Sequence, residues 1–129
     1  MQQRQAYFNN EALKGLQAFN RQAFYDAHEF FETAWRTSSL NEREFYRALL
    51  QISGGFYRLT EDRPTAARKF FDRARFWLQP FPSHFKSIDI NALRGWLTAL
   101  LNALAEERPS QAILHQYYHP IDLPNQEMQ

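Results

Sequence analysis

One short stretch carries most of the reactive chemistry in this chain: Phe24-Tyr25-Asp26-Ala27-His28-Glu29-Phe30-Phe31-Glu32-Thr33-Ala34-Trp35. It places an imidazole, the Glu29 and Glu32 carboxylates and a phenol on an otherwise apolar segment. Read as a helix at about 100° per residue, Phe24, Ala27, Phe31 and Trp35 form a core stripe with His28 at its edge. His28 and Glu32 are four residues apart, so their side chains meet on one face. An imidazole flanked by carboxylates is competent to ligate a divalent transition metal, or to act as a general base oriented by an acid. The pattern is His-Glu-x-x-Glu, an HExxE motif. The zinc-protease pattern has a second His where Glu32 stands, which argues against a protease of that kind.

Three readings of the cluster stay open. His28, Glu29 and Glu32, with Tyr25 and Trp35, are candidates to bind a small ligand or a partner's side chain. The same His28, Glu29 and Glu32 are candidates for catalysis in a metal-assisted hydrolase, with His28 and Glu32 as metal ligands. Alternatively, the cluster is a buried hydrogen-bond network that fixes helix register. Trp35 reads as core whose indole N–H wants an acceptor if buried.

Five helices are expected to position these groups. The first runs from about Asn10 to Asn20, capped by Asn9 or Asn10, with Leu13, Leu16 and Phe19 inward. The second covers about Gln22 to Arg36. The third runs from Asn41 to about Thr60 and opens on an Asn41-x-x-Glu44 capping box. Its apolar residues Phe45, Ala48, Leu49, Ile52, Phe56 and Leu59 make one face, and Tyr46, Leu50 and Tyr57 a second, which marks it as central. Pro64 opens the fourth, reaching about Gln79. Pro80 to His84 reads as a loop, and the fifth helix spans about Asp89 to Glu107. Beyond Pro109, Ile113, Leu114, Tyr117 and Tyr118 read as a short docked helix or an extended strap.

All four glycines (Gly15, Gly54, Gly55 and Gly95) fall inside helical patterns, where each costs about 1 kcal/mol against Ala. They predict close helix crossings that admit bulky aromatics. Ala27-His28-Glu29-Phe30-Phe31-Glu32-Thr33-Ala34 recurs forty residues later as Ala67-Arg68-Lys69-Phe70-Phe71-Asp72-Arg73-Ala74. The repeat implies two similar helical hairpins, tetratricopeptide-like in design, closed by a C-terminal helix. Arg68-Lys69 replaces His28-Glu29 in the second copy, so packing alone does not call for His and Glu there.

The 129 residues suit one domain, expected over 1–124, with 125–129 a frayed tail. Aromatic residues are 16% of the chain, enough for a well-packed all-α bundle. The net charge of +1 creates no field to attract nucleic acid or an anionic membrane. Arg63, Arg68, Lys69, Arg73 and Arg75 make the fourth helix locally basic and read as a solvated face. Cysteine is absent, which removes disulfides and thiol chemistry. Met1 to Gln5 lacks the apolar core of a signal peptide, and no apolar run approaches the ~20 residues of a membrane span. A cytoplasmic protein is expected. His84, His115 and His119 lie in loop or tail, where the context for metal binding is weak.

The residues now quoted resemble the small bacterial and archaeal family catalogued as domain of unknown function 309. Its pattern of an aromatic–Asn hairpin turn and Y-x-A-H-E-x-x-E-x-x-W is met by Phe19-Asn20, Tyr25, Ala27, His28, Glu29, Glu32 and Trp35. A Q-G-L-I-Q-like segment is met in part by Arg47-Ala48-Leu49-Leu50-Gln51, and a small-residue turn by Thr65-Ala66-Ala67. Arg47-Ala48 replaces Gln-Gly, and Arg58 stands near an expected His. The resemblance covers roughly residues 10 to 80. It implies an all-helical bundle and brings no established reaction, cofactor or partner. The resulting expectation is a binding domain with a polar pocket between the second and third helices. There Tyr25, His28, Glu29, Glu32 and Trp35 would face Gln51 and Tyr57. No cofactor beyond a divalent metal is expected, and the partner is a small ligand or a protein, a second copy of the chain included.

Overall fold

The computed structural model describes residues 8–123. The frayed tail expected over 125–129 lies outside the described residues. Among the described residues, six helices and one small hairpin follow in order: α1 (Asn10–Asn20), α2 (Phe24–Thr37), α3 (Leu40–Thr60), α4 (Pro64–Leu78), β1 (His84–Phe85), β2 (Ile88–Asp89), α5 (Ile90–Ala105) and α6 (Ser110–Tyr117). The architecture is the expected all-α bundle. α1 pairs with α2 and α3 with α4; α3 also packs on α2 and α6, and α5 closes against α4.

Local chemistry explains the boundaries. The Asn9 side chain accepts from the Glu11 and Ala12 N–H groups at 2.7 and 3.2 Å, capping α1. Pro64 opens α4 where a missing N–H costs nothing. The expected capping box on α3 does not form. That helix starts at Leu40, with Ser39 at the cap position and no side-chain cap bond. Asn41 is therefore already inside the first turn, and Glu44 faces Arg47 at 3.4 Å instead.

The forty-residue repeat is real geometry. α1 ends with Gln22 in the left-handed region (φ 64°) and α3 with Asp62 (φ 56°). Each turn closes with a bond spanning five residues, Ala23 N–H to the Ala18 carbonyl at 2.8 Å and Arg63 N–H to the Arg58 carbonyl at 2.9 Å. This is the Schellman termination, reached without glycine. Gly15 and Gly55, forty apart, receive the rings of Phe31 and Phe71, also forty apart. A Cβ there would sit 2.7 and 2.4 Å from those rings. Gly54 likewise receives Phe70 at 2.6 Å, whereas nothing lies within 4 Å of a Cβ at Gly95. The close-crossing expectation thus holds at three glycines and fails at the fourth, which sits on an exposed face.

The core is aromatic. Phe56 of α3 contacts Phe19, Phe24, Phe71, Trp96 and Tyr118, with ring centroids 5.3–5.8 Å apart. Leu13, expected inward, is only half-buried. The loop expected at Pro80 to His84 runs into a two-residue hairpin turn, Lys86-Ser87, with both φ positive. That turn type usually announces itself with Asn-Gly or Asp-Gly, and Lys-Ser carries no such signal.

The tail beyond Pro109 is both things the sequence allowed. α6 docks Ile113, and then an extended strap crosses the α1–α2 turn. The Tyr118 hydroxyl donates to the Phe19 and Asn20 carbonyls at 2.9 and 3.1 Å. The Asn20 side chain exchanges two bonds of 2.8 Å with the Ile121 backbone.

Candidate functional site

His28, Glu29 and Glu32 come together on the outer face of α2. One ligand atom from each lies within 4.8 Å of the others, and among the described residues they form the single such group of His, Cys, Asp or Glu. Helical periodicity brings His28 and Glu32 side by side, and the Glu29 arm reaches back so that its carboxylate is 4.0 Å from His28 Nδ1. The His28 side chain is 27% exposed and makes no hydrogen bond among the described residues. Its ring meets the edge of Phe70 at 6.5 Å, nearly perpendicular. Glu32 accepts from Arg36 at 2.8 Å through one oxygen, which leaves the second oxygen available.

Of the other expected site residues, Tyr25 and Trp35 lie on the same helix and Gln51 and Tyr57 on α3, without converging on one pocket. Tyr25 is exposed and tilts against Tyr57 of α3 at 5.5 Å, beside a small cleft of about 240 Å³. Tyr57 sits next to Glu61, whose carboxylate raises the phenol's pKa. Arg58 donates to that carboxylate at 2.6 Å and holds its pKa below the usual range. Trp35, at the far end, lies under the guanidinium groups of Arg43 and Arg47, each 4.9 Å from its ring. Its indole N–H is buried without a partner. Gln51 shares a different cleft with Arg47, and His28, Glu29 and Glu32 do not line it.

Sequence reasoning left Arg47 unused as a site residue, treating it as a departure from a motif. Its signal was its spacing. Arg43, Arg47 and Gln51 recur every four residues on α3, on the side that meets Trp35.

The match to known proteins covers this part of the chain. Residues 12–70 match the family described as "Domain of unknown function (DUF309)". The matched segment takes in most of α1, all of α2 and α3 and the first part of α4, and so every expected site residue from Tyr25 to Gln51. An uncharacterized protein of Aquifex aeolicus (strain VF5) is 29% identical over 93 residues, which is 70% of this chain. The matched stretch is 28% of that protein, so the chain spans under a third of its relative. The DUF309 resemblance and the helical bundle agree, and no described helix is long and apolar enough to cross a membrane.

Proposed function

We propose that the outer face of α2 binds a small cation, and that a divalent transition-metal ion is the cation it fits best. The observation that carries this reading is the convergence of three donors of two kinds, the His28 imidazole and the Glu29 and Glu32 carboxylates, within 4.8 Å. Metal–ligand bonds of about 2.0–2.2 Å put donor atoms about 3.3 Å apart. Rotation of the two flexible glutamate arms, both on one rigid helix, closes that difference. One imidazole with two carboxylates suits zinc, manganese or iron, and leaves coordination positions for water or a ligand group. Such an ion would supply Lewis-acid chemistry to a bound carbonyl or phosphoryl group. The second hairpin, with Arg68-Lys69 at the equivalent positions, offers no such donor set.

Titration of untagged protein with zinc, manganese and ferrous ions, followed calorimetrically, tests this. Wild type should bind one equivalent, and His28→Ala should weaken binding at least about tenfold, since loss even of a group that only orients a ligand costs about that much. Glu32→Gln should weaken it as well. Absence of saturable binding by wild type, or unchanged affinity in both variants, would overturn the reading.

A further inference from the structure

Arg47 lies between two indoles. Its guanidinium carbon is 4.9 Å from the Trp35 ring of α2 and 3.9 Å from the Trp77 ring of α4. Its charge partner is Glu44, one turn back, at a long 3.4 Å. A cleft of about 500 Å³ opens beside it, lined by Arg47, Gln51, Asp72, Arg73, Phe76 and Trp77. That volume is in the range of small-molecule sites.

The walls differ in chemistry. Arg73 is exposed and makes no ion pair among the described residues, while Asp72 is already paired with Arg75 at 3.1 Å. The cleft therefore presents the unpaired Arg73 and the Glu44-paired Arg47 beside one carboxylate, Asp72, which Arg75 already holds. Phe76 is 58% exposed, and its ring stands perpendicular to Trp77 at 5.0 Å, forming a flat apolar wall. Gln51 contributes a side-chain oxygen that is buried with no donor. An orphaned acceptor is costly and favours any ligand that brings it an N–H.

We propose that this cleft binds a small phosphorylated ligand carrying an amine-substituted aromatic ring, the chemistry of a nucleoside monophosphate. The phosphate meets Arg47 and Arg73, whose planar forks match its oxygens. The ring lies against Phe76, a stacking surface for any base. The exocyclic amine reaches the Gln51 oxygen, which the soft terminal torsion of the amide can turn toward the cleft. Trp77 holds Arg47 in place and so positions the phosphate.

The test is titration of the full chain with adenosine monophosphate in EDTA, by calorimetry and by indole fluorescence, since two of the three tryptophans flank Arg47. Saturable binding is expected, with adenosine and inorganic phosphate each at least about tenfold weaker because each lacks half the contacts. Arg73→Gln should weaken binding at least about fivefold while melting like wild type, because Arg73 is exposed and unpaired. His28→Ala should leave this affinity unchanged, which separates the cleft from the α2 cation site. The proposal falls if adenosine monophosphate does not saturate at millimolar concentration. It falls equally if phosphate alone binds as tightly, which would mark a plain anion patch, or if Arg73→Gln binds as wild type.

Discussion

His28 is held loosely for a residue at a core edge. It makes no hydrogen bond among the described residues, one 4.0 Å approach to Glu29 and one edge contact with Phe70. Removing it should change stability by no more than about 0.5 kcal/mol, as for surface positions generally, in a chemical melt of His28→Ala. A buried network would cost several kcal/mol when broken, so this melt distinguishes a register-fixing role from a binding role. Tyr46 is the opposite case. Its hydroxyl accepts from the Asn9 N–H at 2.9 Å and donates to Glu42 at 2.8 Å, and burial pushes its pKa up. Tyr46→Phe should cost about 1–2 kcal/mol by leaving two partners unmade, read from the denaturation midpoint. The shared face of His28 and Glu32 was legible in the sequence because four-residue spacing is local to one helix. The partners of Trp35 were not, because Arg47 approaches it from another helix and spacing says nothing about which helices meet.

At the scale of the helix pair, glycine is the joint. The helical positions of Gly15, Gly54 and Gly55 and the prediction of close crossings were readable from sequence, as was the repeat that aligns Gly15 with Gly55 and Phe31 with Phe71. What could not be read was which glycine lacked a neighbour. Gly95 has the same helical context but nothing within 4 Å of a Cβ, since α5 turns that face to solvent. The two classes should respond oppositely to one substitution. Gly95→Ala should stabilise the protein by about 0.5–1 kcal/mol through helix propensity. Gly55→Ala drives a methyl to 2.4 Å from the Phe71 ring and should destabilise by about 1–3 kcal/mol through overpacking. Paired thermal melts check both signs. The β-hairpin and the failed cap at Asn41 went unread for a different reason. Short-range signals there were absent or ambiguous, and the packing of Phe81 and Phe85 against Phe45 decides the path of the chain.

Across the whole molecule, the two hairpins do not close the aromatic core by themselves. Phe19, Phe24 and Phe56 meet at the seam between them, and Trp96 and Tyr118 supply the remaining faces from the far end of the chain. The strap after α6 is held by specific bonds. The Trp96 indole donates to the Tyr117 carbonyl at 2.7 Å, and Asn20 clamps the Ile121 backbone from both sides. Asn20 thus links the first helix to a segment a hundred residues later, and its value depends on that segment being present. Asn20→Ala should cost about 1–3 kcal/mol in the full chain, the worth of two intramolecular hydrogen bonds to buried backbone. In a chain ending at Pro120 the same substitution should cost about 0.5 kcal/mol or less, because its partner is gone. A double-mutant cycle of Asn20→Ala with that truncation, measured by urea unfolding, reads the coupling directly. Additive losses would mean that Ile121 is held by apolar burial alone. Strong coupling would make the strap a true third component of the core, and the fold a pair of hairpins that requires its C-terminal segment to be complete.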